Sequence, residues 1–174
     1  MSQEFQAVFG LTRRVLRVLI ALNLLMGVLI LALLIATLVA ETPVFGALGV
    51  RLTDERPTLI LGMRLVMVIG IASVPLAHVV LTRLLAIVDT VGRSDPFVAE
   101  NAMRLRMIAW AVLAMEILHL VIGIVAAAVS SSEQPLDLDW SFSFTRWIAV
   151  LLLFVLARVF EQGALMREDL QGTV

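Results

Sequence analysis

Three ionisable side chains inside apolar stretches are the residues best suited to chemistry: His78, Glu116 and His119. Glu116 and His119 are three residues apart, so on a helix they lie on one face. Di-metal carboxylate bundles use the Glu-x-x-His spacing, and histidines on two helices can ligate a haem iron. The candidate metal ligands are therefore Glu116 and His119, and the candidate haem ligands are His78 and His119.

Other interpretations of these residues stay open. A di-metal site needs a second Glu-x-x-His motif, which the chain lacks. Glu116 and His119 could instead form a proton-responsive pair, or hydrogen-bond across a helix bundle together with Asn23. Arg158 completes this expected intramembrane polar seam, where it either snorkels to the interface or pairs with Glu161. No nucleophile, base and orienting group coincide, so we predict a protein that is not an enzyme and holds no cofactor.

Composition shows what kind of element must hold these side chains. The chain has 174 residues, of which 61% are hydrophobic and 16% are charged, against about 45–50% and about 25% in a soluble domain. A soluble or disordered chain is excluded. The net charge of −1 offers no positive field for direct nucleic-acid binding. The absence of cysteine excludes disulfides and thiolate metal sites.

Four stretches reach the roughly 20 apolar residues that a membrane-crossing helix needs: residues 15–40, 59–85, 107–129 and 142–160. We therefore predict an all-α membrane protein, a bundle of four transmembrane helices forming one domain over residues 1–174. Residues 86–106 are predicted to be a loop with an interfacial helix that begins at Ser94-Asp95-Pro96, since an N-cap residue followed by proline starts helices. Residues 161–174 are predicted to be a helical tail.

The arginines predict the orientation of the four spans, because cytoplasmic flanks are enriched in positive charge. Three arginines, Arg51, Arg56 and Arg146, flank the side of the membrane opposite the two termini, and Arg64 lies inside a span near that opposite side. Nine arginines lie on the side that holds both termini: Arg13, Arg14, Arg17, Arg83, Arg93, Arg104, Arg106, Arg158 and Arg167. Both termini are therefore expected in the cytoplasm.

The two outer loops contain candidate strands. Residues 136–144 alternate between apolar and polar residues with the period of two that is typical of half-buried strands, and residues 44–53 are a candidate partner strand. A small outer β-ribbon is one interpretation, and an extended connector anchored by aromatic side chains is the other.

Two segments on the cytoplasmic side carry a resemblance to a known family. Residues 91–106 contain Pro96-Phe97, then Asn101, then Leu105-Arg106. They resemble the G-x-PF-x-x-x-N-x-x-x-LR stretch of domain-of-unknown-function family 2975, which comprises four-helix bacterial membrane proteins. Residues 159–174 resemble the closing segment of the same family. The chain departs from the family pattern by placing Ser94-Asp95 where glycine is usual before Pro-Phe.

The resemblance implies a four-span protein of the bacterial cytoplasmic membrane. Members of the family are often encoded beside a small helix-turn-helix regulator, which implies a non-enzymatic membrane partner of that regulator. Pro96, Phe97, Asn101 and Arg104 form the candidate cytoplasmic docking motif. A small proton-coupled transporter component and a haem- or metal-binding redox subunit are the alternative functions. The expected partners are the lipid bilayer and the regulator, and a second copy of the chain is left open.

Overall fold

Helices account for nearly all of the chain that the structure describes. The structure is a computed structural model and describes residues 2–47, 57–92, 98–129 and 143–171. The helices are α1 (Ser2–Val39), α2 (Glu41–Ala47), α3 (Pro57–Val91), α4 (Ala99–Val129) and α5 (Phe144–Gln171). Four of them, α1, α3, α4 and α5, are long and apolar enough to cross a membrane. The prediction of an all-α protein with four membrane-spanning helices is confirmed.

The helices extend past the apolar stretches that predicted them. α1 begins at Ser2 although the first stretch begins at residue 15, and α5 continues beyond residue 160 to Gln171, into the segment predicted to be a helical tail. A helix satisfies its own backbone groups in lipid and in water alike, so polar flanking residues do not have to end it. Pro75 lies inside α3, which continues through it. The predicted helix start at residues 94–96 lies outside the described residues.

The structure corrects one of the two candidate outer strands. Val44 to Ala47 belong to helix α2, and the Val44 N–H donates to the Ala40 carbonyl at 3.2 Å. Pro43 falls in the first turn of α2, where the missing N–H of proline costs a helix little. Phe45 is fully buried, so this short helix packs one aromatic side chain into the interior. The rest of the candidate ribbon, residues 48–53 and 136–142, lies outside the described residues.

The chain divides into two compact units. The first unit comprises Met1–Asn23, Leu76–Glu116 and Ser143–Val174. Alanine dominates its core, which lets the helix backbones approach closely. The buried apolar side chains of this unit are Leu16, Ala102, Leu105, Ile108, Ala109, Ala111, Val150, Ala157 and Ala164. Ala102, Leu105 and Ile108 follow one another at intervals of three residues, so they lie on one face of α4.

The second unit comprises Leu24–Pro75 and Ile117–Phe142. Small residues set its helix contacts, because glycine lets two helix backbones approach closely. A β-carbon at Gly62 would lie 2.6 Å from Val129 Cγ2, and one at Gly27 would lie 3.0 Å from Val74 Cγ1. These contacts hold α3 against α4 and α1 against α3, and no larger residue fits without displacing the valine.

Candidate functional site

Asn101 lies at the centre of a polar cluster in the first unit. It sits in the first turn of α4, where its N–H donates to the Val98 carbonyl at 2.9 Å. Its side chain is fully buried, and its Oδ1 accepts a hydrogen bond from Arg104 Nη1 at 2.8 Å. A buried amide is costly without partners, so this asparagine acts inside the protein, and a docked partner would not touch it.

Arg104 joins α4 to α3. The same Nη1 donates to Thr90 Oγ1 at 2.7 Å and approaches the Ala86 carbonyl at 3.4 Å. Thr90 Oγ1 in turn donates to the Ala86 carbonyl at 2.8 Å. Of the four residues in the predicted docking motif, Asn101 and Arg104 are thus brought together as an interhelical tie. Pro96 and Phe97 lie outside the described residues.

A second charged cluster joins α4 to α5. Arg106 Nη2 donates to both carboxylate oxygens of Glu161, at 3.0 and 2.9 Å. Arg158 Nη1 donates to Glu161 Oε2 at 2.8 Å. One carboxylate therefore holds two guanidinium groups, and the cluster keeps a net charge of about +1. The expected pairing of Arg158 with Glu161 is present, although Arg158 is 69% exposed and does not line the bundle interior.

A groove of about 320 Å³ opens beside this second cluster. It lies between the first turns of α4 and the last turns of α5, so the two segments that carry the family resemblance form its walls. The surface of the groove is mostly apolar, and the paired side chains of Arg106 and Glu161 form its charged part. Its other lining residues are Ala99, Ala102, Met103, Ala164 and Leu165. We call this feature the α4–α5 groove.

A third ion pair in the first unit joins α1 to α3. Arg13 Nε pairs with Asp89 Oδ1 near the end of α3. Gly92 lies beside the same arginine, and a β-carbon there would come within 3.1 Å of Arg13 Nη2. All four long helices are therefore joined at one end of the first unit by arginines: Arg13, Arg104 and Arg106.

Glu116 and Asn23 of the predicted intramembrane seam lie in different surroundings. Glu116 pairs with Arg146 of α5 at 3.8 Å, so its recorded partner is a guanidinium and not the imidazole of His119. Asn23 is half-buried in α1. The ion pair explains how a carboxylate is tolerated at mid-helix, since an opposite charge lowers the cost of burying it.

The two histidines each leave one buried ring nitrogen without a hydrogen-bond partner, Nδ1 of His78 and Nε2 of His119. His78 belongs to the first unit and His119 to the second. Over the described ranges, no three histidine or carboxylate side chains cluster in a way that suits a metal ion. Haem or metal ligation by these residues stays a prediction.

The second unit holds a polar tie that connects α1, α2 and α3. Arg64 Nη2 donates to the Thr37 carbonyl near the end of α1 and to Glu41 Oε2 at 2.8 Å. The guanidinium also lies 6.0 Å from the centre of the Phe45 ring. Arg64 therefore satisfies one of the carbonyls that the end of α1 leaves without an intrahelical partner.

Sequence reasoning missed the partners of the arginines. Asp89, Thr90 and Glu41 were not singled out, although each can be placed near the same end of its span as the arginine that it contacts. Comparing the depths of charged residues on neighbouring spans would have found Glu41 beside Arg64. The buried position of Asn101 had no such signal, because the polar side of an amphipathic helix normally faces water.

Four long apolar helices, with arginine ties at their ends, define a multi-pass membrane protein. The model of one family matches residues 34–174, and that family is described as "Protein of unknown function (DUF2975)". The match covers most of the chain, and the protein belongs to this family. The family's description assigns no catalytic activity. Neither the curated proteins nor the solved structures gave a match.

Proposed function

We infer that this protein is a non-enzymatic regulatory partner in the bacterial cytoplasmic membrane, which binds a small helix-turn-helix regulator at the α4–α5 groove. The single observation that carries this proposal is the groove itself. It lies where the two family segments meet, it is mostly apolar, and it opens at the end of the first unit that holds the arginine ties. Its volume of about 320 Å³ is at the small end of the range for ligand pockets and suits one or two inserted side chains.

The orientation predicted from the arginines supports a cytoplasmic partner. The arginines that flank α4 and α5 at the groove, Arg104, Arg106, Arg158 and Arg167, belong to the arginine-rich side of the chain. Such residues favour the cytoplasmic side of a membrane. A groove at this end is then accessible to a soluble cytoplasmic protein.

The lining of the groove specifies the chemistry of the contact. Met103 and Leu165 on its walls are 56% and 57% exposed, and methionine adapts its shape to different partners. The neighbouring cluster has two arginines against one glutamate. The complementary surface is therefore an apolar side chain flanked by a carboxylate, as an amphipathic segment of the regulator would present it.

Replacing Leu165 with glutamate tests this function. The change places a charge in the apolar wall and a second carboxylate beside the arginines that would contact the regulator's carboxylate. It should therefore weaken binding of the regulator by at least about tenfold, or about 1.4 kcal/mol. Met166→Glu is the matched control, since Met166 is the next residue of α5, is 63% exposed and does not line the groove. The measurement is co-purification of the adjacently encoded regulator with each variant from solubilised membranes.

The expected result is loss of the regulator from Leu165→Glu and its retention by Met166→Glu. Equal retention by both variants would contradict docking at the groove. Absence of the regulator from the unsubstituted protein would contradict the proposed partner. Reporter expression from the regulator's own promoter, compared between the two variants, gives a second readout in cells.

A further inference from the structure

The charged cluster of Arg106, Glu161 and Arg158 presents two guanidinium groups to the exterior. Arg106 is 53% exposed and Arg158 is 69% exposed, and both contact the same carboxylate. Glu161 accepts one hydrogen bond from Arg158 and two from Arg106. Each guanidinium has five N–H groups, so most of the donors in this pair make no hydrogen bond to Glu161.

An aromatic pair lies one helical turn from these arginines. Trp110 follows Arg106 by four residues on α4, and Phe154 precedes Arg158 by four residues on α5, so each aromatic side chain shares a face with one arginine. The two rings meet edge to face, with centroids 5.3 Å apart and planes at 84°. Trp110 is 60% exposed. The surface beside the arginines is therefore apolar, aromatic and open.

The depth of the cluster matches the edge of a bilayer. Arg106 lies 23 residues before Val129, the last residue of α4, which corresponds to about 35 Å of helix. The hydrocarbon core is roughly 30 Å thick. Arg106 consequently reaches headgroup depth when α4 spans the membrane, and Trp110, about 6 Å further along the helix, reaches the interfacial layer where tryptophan is favoured.

We propose that Arg106 and Arg158 bind the phosphate of an anionic phospholipid, with its acyl chain lying against Trp110 and Phe154. The occupant is a lipid because the cluster combines headgroup depth, positive charge and an exposed aromatic surface on one face. Arginine guanidinium groups suit phosphate oxygens, which they can bind through two parallel hydrogen bonds. Arg106 also lies in the wall of the α4–α5 groove, but the proposal does not rest on binding of the regulator, because lipid binding is measured on the protein alone.

Quenching of tryptophan fluorescence by brominated lipids tests the proposal. The full-length protein is reconstituted, without any partner, in vesicles that contain a small fraction of phosphatidylglycerol or phosphatidylcholine with brominated acyl chains. We expect brominated phosphatidylglycerol to quench Trp110 at a concentration about fivefold lower than brominated phosphatidylcholine does. One net arginine contributes about 1 kcal/mol to binding an anionic lipid, which corresponds to this ratio of concentrations. Trp110→Phe identifies the part of the signal that comes from this residue.

Arg158→Gln should abolish the preference for phosphatidylglycerol, and Arg106→Gln should do the same. Arg83→Gln is the matched control, because Arg83 is an exposed arginine of α3 in the same unit and its loss should leave the preference unchanged. Unaltered quenching by brominated phosphatidylcholine verifies that each variant is folded. Added inorganic phosphate should not reduce the preference if the ligand is a lipid.

Three outcomes would overturn the proposal. The first is equal quenching by the two lipids in the unsubstituted protein. The second is an equal loss of preference in Arg83→Gln and Arg158→Gln, which would indicate only a general effect of surface charge. The third is displacement of the lipid by inorganic phosphate, which would indicate a soluble anion as the ligand.

Discussion

Replacing Arg104 with methionine is expected to lower the free energy of unfolding by about 2–3 kcal/mol, because the change leaves buried polar groups without their donor. Asn101 is fully buried, and its Oδ1 accepts from Arg104 at 2.8 Å. Thr90 Oγ1 accepts from the same nitrogen at 2.7 Å. Methionine preserves the approximate length of the side chain and its apolar contacts, so the loss reports on the hydrogen bonds.

The measurement is reversible unfolding of the protein from mixed micelles by titration with a denaturing detergent. Arg106→Met is the matched control, because it makes the same substitution two residues further along α4. Its pair with Glu161 is largely exposed, and exposed pairs contribute only about 0–1 kcal/mol. An equal loss in the two variants would contradict a special stabilising role for the Asn101–Arg104–Thr90 cluster.

Replacing Arg64 with methionine is the second change with a large expected effect, about 2 kcal/mol of unfolding free energy. Arg64 donates to the Thr37 carbonyl and to Glu41 Oε2, and Thr37 is fully buried. Without the arginine, the end of α1 loses a partner for a carbonyl that its own helix does not satisfy. α2 should then separate from α3, which exposes Phe45.

Hydrogen exchange measures this effect locally, and we expect faster exchange in α2 together with the lower global stability. Glu41→Gln is the control, because it removes the charge of the half-exposed partner but keeps an oxygen that accepts a hydrogen bond. It should cost less than about 1 kcal/mol. If Glu41→Gln were as costly as Arg64→Met, the ion pair and not the carbonyl contact would be the source of stability.

The four long helices were predictable because the membrane leaves few alternatives. Each apolar run of about 20 residues must satisfy its backbone groups internally, and a helix does so with local hydrogen bonds alone. The start of α1 was less predictable, since the polar residues before the apolar run are as compatible with helix as with coil, whereas a helical continuation after residue 160 was predicted. Helix α2 was not predicted at all. Seven residues make only about two helical turns, which are too few for apolar periodicity to distinguish a helix from a strand.

The sequence indicated two segments of the candidate site but not the contacts that those segments make. The sequence drew attention to the segments around Asn101 and Glu161. For Arg158 it left two alternatives, snorkelling or pairing with Glu161, and the structure contains the pair. The hydrogen bond from Arg104 to Thr90 of α3 could not be predicted, because the sequence does not show which helix faces meet. Apolar periodicity indicates the buried side of a helix, but it does not specify the neighbouring helix. Contacts between helices therefore cannot be predicted from periodicity alone.

Modification of a single cysteine introduced at Leu165 tests the central claim, that the α4–α5 groove faces the cytoplasm and receives a partner there. The chain contains no cysteine, so Leu165→Cys needs no background substitutions. The reagent is a maleimide that does not cross membranes. We predict labelling in inverted vesicles, none in intact spheroplasts, and slower labelling in inverted vesicles when the regulator is co-expressed. Labelling of intact spheroplasts would contradict the orientation and, with it, a cytoplasmic docking function.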